Sequence, residues 1–131
     1  MLRRTKQALL LDDNPAQLCI RELVLRRAGF ESYVATNGHS ALALLRSDMG
    51  RQKVGVVITD HIMPDMDGVE FVRQLRSFNH DIPVIVISGL QDADLEYAGL
   101  GVIFRVKPCD PDDMISLVNA ALNDPPQRAS A

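Results

Sequence analysis

Five apolar runs of strand length punctuate this chain, and between them the apolar residues spread out to helical spacing. The first run is Gln7 to Leu11, built on Ala8-Leu9-Leu10-Leu11. Glu31 to Ala35 is more polar, which suits an edge strand. Val54 to Asp60 carries Val54, Val56, Val57 and Ile58 almost without interruption, as a strand buried on both faces does, so its place is central. Pro83 to Ser88 sets Val84, Ile85, Val86 and Ile87 in a row, and their β-branched side chains favour strand over helix. Val102 to Val106 is the fifth run.

The stretches between these runs read as helices. Asp13-Asn14-Pro15 opens the first with a proline in its first turn; Leu18, Leu23, Leu25 and Ala28 supply apolar positions, and Gly29 ends it. Asn37-Gly38-His39-Ser40 leads into a second, with Ala41, Leu42, Leu44 and Leu45 near helical spacing and a fading end at Ser47 to Gly50. After the Met63-Pro64-Asp65-Met66-Asp67-Gly68 loop, Val69, Val72, Leu75 and Phe78 fall close to one helical face. A short fourth helix fits only between Asp92 and Ala98, because Gly99 and Gly101 follow. The last starts at Asp110-Pro111 and carries Met114, Ile115, Leu117, Val118, Ala121 and Leu122. From Asp124 to Ala131 the apolar period is lost, so a frayed tail is expected after a single domain over residues 1–123.

Strands alternating with helices from end to end predict a parallel sheet covered on both faces, an α/β doubly wound (βα)5 sandwich. Right-handed crossovers and a reversal of winding then open a crevice at the carboxyl ends of the strands. Asp12 and Asp13, Asp60, and Lys107 all stand just there, each at the end of an apolar run. Three carboxylates and one ammonium in a small space are unfavourable unless a cation shares it. Hard oxygen ligands with room left for water suit magnesium, so the spacing points to phosphoryl chemistry on a carboxylate.

Composition narrows the function classes. A length of 131 residues with 47% hydrophobic content supports one buried core. A formal net charge of −3 is the wrong sign for a nucleic-acid surface, so no direct nucleic-acid partner is expected. No apolar run approaches the roughly 18 residues that span a bilayer, and Met1 to Gln7 is polar without an apolar signal core after it; the expectation is a soluble, cytoplasmic protein without a membrane contact. The two cysteines, Cys19 and Cys109, lack Cys-x-x-Cys spacing and read as a reduced, mostly buried pair. His39, His61 and His80 show no metal-ligand spacing and read as surface or loop residues.

Four stretches taken in order carry a resemblance: Leu10-Leu11-Asp12-Asp13-Asn14, Val57 through Gly68, Val84 through Gly89, and Phe104-Arg105-Val106-Lys107-Pro108. Together they resemble the receiver domain, the phospho-accepting module of bacterial two-component response regulators, over about Ala8 to Leu122. The resemblance implies a flavodoxin-like sheet of order 2-1-3-4-5. It implies that Asp60 accepts the phosphoryl group from a histidine kinase or phosphotransfer protein, and that Asp13, Asp60 and the backbone carbonyl of Ile62, with Asp12 through water, hold Mg2+. Lys107 would pair with the phosphoryl oxygens, Ser88 would reorient to bind them, and Phe104 would be the switch aromatic that alters a surface read by a downstream protein target. A cis bond before Pro108, and an architectural part for Met63-Pro64 and Asp67-Gly68, belong to the same pattern.

Two departures refine this picture. The chain between Ser88 and Lys107 is a few residues shorter than in many relatives, which shifts the expected output surface from the fourth helix to Phe104, the fifth strand and the last helix. Ile62 and Leu90, two residues past Asp60 and Ser88, occupy the positions that flank the attacking water in the family, so slow autodephosphorylation is expected. Accordingly the chain reads as a signalling domain rather than an enzyme, a monomer or weak homodimer. The competing readings are a phosphorylation-independent interaction module, and an aspartyl-phosphate hydrolase of the haloacid dehalogenase type. The latter places an Asp two residues after its nucleophile, where this chain has Ile62.

Overall fold

A computed structural model describes residues 6–123 of the chain; the tail expected from Asp124 lies outside them. Its sheet has five parallel strands, β1 (Gln7–Leu11), β2 (Ser32–Ala35), β3 (Val54–Asp60), β4 (Val84–Ser88) and β5 (Val102–Val106), in the order β2-β1-β3-β4-β5. The central place expected for Val54–Asp60 and the edge place expected for the second strand are both observed. Alternate residues of the strands feed two separate cores, since side chains one apart in a strand leave opposite faces. Leu9, Leu11, Val57, Val84 and Val86 pack on one side with Phe71 and Leu75. On the other side Ala8, Leu10, Val56, Ile58, Ile85 and Ile87 pack with Leu18, Leu25, Met114 and Val118.

Helix α1 (Pro15–Arg27) starts at Asn14, whose side chain accepts the Ala16 N–H at 2.9 Å, with Pro15 in the first turn and Arg26 and Arg27 in the last. Its inner face differs from expectation. Leu18 and Leu25 are buried, whereas Leu23 and Ala28 are exposed, because the stripe facing the sheet runs Leu18, Arg21, Leu25 at helical spacing.

The second helical region is also longer than expected. Helix α2 (Gly38–Arg46) ends at Ser47, and Ser47 immediately caps α3 (Asp48–Lys53) by accepting the Gly50 N–H at 3.0 Å. Gly50 looked like a breaker in sequence; in the fold it is a contact residue, because a Cβ there would run into the Leu44 carbonyl. Helix α4 (Gly68–Arg76) is capped by Asp67, which accepts the Glu70 N–H at 2.9 Å. It stops short of Phe78, which lies partly exposed under the Arg46 guanidinium, 4.7 Å from the ring centre. The short fourth helix of the sequence reading is a 3-10 helix over Gln91–Tyr97, with Gly99 and Gly101 beyond it at positive φ. Helix α5 (Pro111–Asn123) closes the fold, with the Asp110 side chain accepting the Asp112 N–H at 2.9 Å.

The cysteine expectation needs correction. Cys19 is exposed and Cys109 half-buried, both as free thiols, since Cys19 falls on the outer side of α1. His61 is in a loop but buried, held there by a contact described below. No helix among the described residues is long and apolar enough to cross a membrane.

Candidate functional site

Parallel strands send all their carboxyl ends to one edge, and that edge gathers the acidic residues. Asp60 ends β3 and is buried; Asp12 follows β1 and is buried; Asp13 beside it is exposed. One carboxylate oxygen from each lies within 4.8 Å of the others. From the turn after β5, the Lys107 Nζ reaches the Asp60 Oδ1 at 2.8 Å, and the Lys107 N–H donates to the Ser88 carbonyl at 2.7 Å, so β4 and β5 together aim that side chain. The Lys107-Pro108 bond is cis. All four residues predicted to converge therefore do so.

Asp12 is held twice by the chain itself. Its Oδ1 accepts the Asn14 N–H at 2.9 Å, and its Oδ2 accepts from Arg21 at 3.0 Å. Burial nonetheless pushes its carboxyl above the usual range of 3.8, with the Asn14 hydrogen bond opposing, the Asp60 charge adding to the rise, and Arg21 and Lys107 opposing it. The site thus penalises its own negative charge. Three hard carboxylate oxygens with no sulfur or imidazole among them, one on exposed Asp13, match the donors and open waters that magnesium takes.

Ser88 is buried at the end of β4, where its Oγ accepts the Leu90 N–H at 2.9 Å and donates to the Leu90 carbonyl at 3.3 Å. It is turned along its own chain and must break these contacts to face another acceptor. Phe104 is half-buried in β5 and packs against Tyr97, with ring centres 6.0 Å apart. The Ile62 and Leu90 side chains are 61% and 51% exposed, so both stand open to water just past the ends of β3 and β4.

Sequence reasoning missed two groups. The first is Arg21, whose signal was present as a charge on the apolar stripe between Leu18 and Leu25. The second joins the residue after Asp60 to the 3-10 helix: His61 Nδ1 and the Tyr97 hydroxyl share a hydrogen bond of 2.7 Å, with the rings nearly edge to face. Burial raises the Tyr97 hydroxyl well above its usual 10.0, with Asp67, Glu96 and Asp60 adding to the rise, so it keeps its proton. Gly68 makes room for this pair, since a Cβ there would strike the Tyr97 hydroxyl and come within 2.8 Å of the Asp60 carbonyl oxygen. No local pattern marks a long-range His–Tyr contact, which explains why it was not read from sequence.

A family model described as the response regulator receiver domain matches residues 8–119. A protein described as the probable transcriptional regulatory protein TcrX of Mycobacterium tuberculosis is 31% identical over 117 residues, covering 87% of this chain and 48% of that protein. The response regulator protein TodT of Pseudomonas putida is 29% identical over an alignment of 133 positions, covering 99% of this chain and 57% of that protein. The chain therefore spans about half the length of the curated relatives it matches. Among solved structures, a response regulator receiver protein from Pseudomonas putida is 27% identical with a TM-score of 0.77, covering 91% of this chain and 98% of that one.

Proposed function

The chain belongs to the response regulator receiver family of two-component systems, and from that premise we propose that it accepts a phosphoryl group on Asp60 from a phosphohistidine of a histidine kinase or phosphotransfer protein. The observation that carries the reading is the buried Asp60 carboxylate at the end of the central strand, with the Lys107 ammonium 2.8 Å away and the Asp12 and Asp13 carboxylates within 4.8 Å. In this reading an Asp60 oxygen forms a bond to phosphorus as the phosphorus–nitrogen bond breaks, and the electron pair leaves with the donor imidazole. Asp13, Asp60 and the Ile62 carbonyl, with Asp12 through water, would hold Mg2+, which would supply charge neutralisation to the phosphoryl oxygens. Lys107, already on Asp60 Oδ1, has only to transfer its contact from carboxylate to phosphoryl oxygen.

Phosphorylation replaces a monoanion with a group of about −2 at neutral pH. Ser88 then exchanges its two contacts with Leu90, each worth about 1 kcal/mol net, for one to an anionic oxygen, which is the stronger kind. Movement of Ser88 frees space toward which Phe104 turns, and the altered surface is what a downstream protein reads. The donor docks over a groove of about 530 Å³ between α1 and the turn into α5, where Ile20, Val24, Pro108 and Met114 offer an apolar floor beside Lys107.

Incubation with acetyl phosphate or phosphoramidate and Mg2+ is expected to add a single group of about 80 Da by mass spectrometry, and Asp60→Asn to abolish the addition. Unchanged labelling of the Asn variant, or no labelling of the native chain, overturns the assignment.

A further inference from the structure

Arg21 is a charge placed where a helix normally puts an apolar side chain. It shares the inward stripe of α1 with the buried Leu18 and Leu25, and its side chain is only 11% exposed. The guanidinium uses two of its donors inside the molecule, to Asp12 Oδ2 at 3.0 Å and to Gln17 Oε1 at 2.9 Å. Asp12 is itself 1% exposed, so the pair sits where water screens it little. An arginine keeps its charge at any ordinary pH, and its planar fork fixes the carboxylate's direction as well as offsetting its charge.

The charge balance of the pocket changes with it. Asp12, Asp13 and Asp60 carry three negative charges against the single positive charge of Lys107; Arg21 leaves a formal excess of one negative charge instead of two. Both oxygens of Asp12 have a protein donor before any metal arrives. We propose that Arg21 is an internal counter-cation and a positioning residue for Asp12, stabilising the metal-free pocket and lowering the affinity of the acidic cluster for a divalent cation. The same guanidinium lines the groove beside Lys107, so the resting charge of the pocket is set from α1, an element that carries no acidic ligand. The inference rests on the proposed acceptor site only through the acidic cluster.

The test is magnesium binding by unphosphorylated protein, measured by isothermal titration, with Mn2+ as a paramagnetic cross-check. Arg21→Gln is expected to bind Mg2+ about tenfold more tightly than the native chain, equivalent to 1.4 kcal/mol, and to melt at a lower temperature in chelator. Arg21→Lys keeps the charge and should stay within about twofold of native affinity. Arg21 acting merely as packing predicts unchanged or weaker binding in Arg21→Gln, and either result overturns the inference. Should that variant fail to fold, the native chain carries the test by NMR. Its Arg21 side-chain nitrogen resonances must shift with the same Mg2+ midpoint as the Asp13 amide, and their failure to move is equally decisive against it. Acetyl phosphate labelling run in parallel separates the two claims. Labelled Asp60 with a magnesium affinity indifferent to Arg21 refutes the counter-cation alone, whereas affinity that responds to Arg21 in a chain that never labels refutes the acceptor reading alone.

Discussion

Ile62 and Leu90 present bare hydrocarbon beside the acidic pocket, 61% and 51% exposed, and neither side chain can orient or deprotonate a water. An acyl phosphate on Asp60, as proposed, would therefore lack side-chain assistance to its hydrolysis from these positions. Leu90→Glu or Ile62→Asn is expected to speed loss of the phosphoryl group on the order of tenfold, followed by mass spectrometry after the donor is removed. Equal or slower loss in both variants would show that water is governed from elsewhere. At this scale the sequence was informative wherever a polar residue ended an apolar run, as Asp12, Asp60 and Lys107 do. Its signal for Arg21 was ambiguous for a physical reason: Leu23 offered a competing apolar stripe on the same helix, and only packing against the sheet decides which stripe turns inward.

Elements were read less evenly than residues. The strands were legible because uninterrupted β-branched runs have few alternatives, while α3 was not, since Gly50 carries the same letter whether it breaks a helix or lets one approach the Leu44 carbonyl. The 3-10 helix Gln91–Tyr97 was placed correctly but assigned the wrong geometry, and its anchor was missed altogether. Only Ala93 and Tyr97 of that segment are buried, so the Tyr97–His61 hydrogen bond is a large part of what fastens it. Tyr97→Phe keeps the ring and removes the hydroxyl, which should cost about 1 kcal/mol. Hydrogen exchange over residues 91–101 is expected to quicken while β3 and β4 keep their protection. Unaltered exchange in that window would mean that its apolar contacts and the Glu96 carboxylate, 3.7 Å from His61 Nε2, suffice to hold the segment. Phe104 packs with Tyr97 and the core beneath α4 while α5 covers the opposite core, so β5 and the elements on either side of it meet at that edge of the sheet.

The whole molecule followed from one regularity, the alternation of strand and helix patterns, which leaves a parallel, doubly covered sheet as the natural outcome. Strand order was a matter of resemblance rather than of periodicity, because no local pattern states which strands are neighbours. The separation of the interior into two cores, one on each side of the sheet, has a consequence for how partners share this protein. The groove beside α1 and α5 borders one core, and the Tyr97–Phe104 pair belongs to the other. On the proposed reading, a donor over the groove and a target on the Tyr97–Phe104 side use opposite faces of the sheet and need not compete for one surface. Raising the target concentration during phosphotransfer should then leave the donor's KM unchanged and move the turnover rate alone. A target that raises KM would be occupying the donor's face.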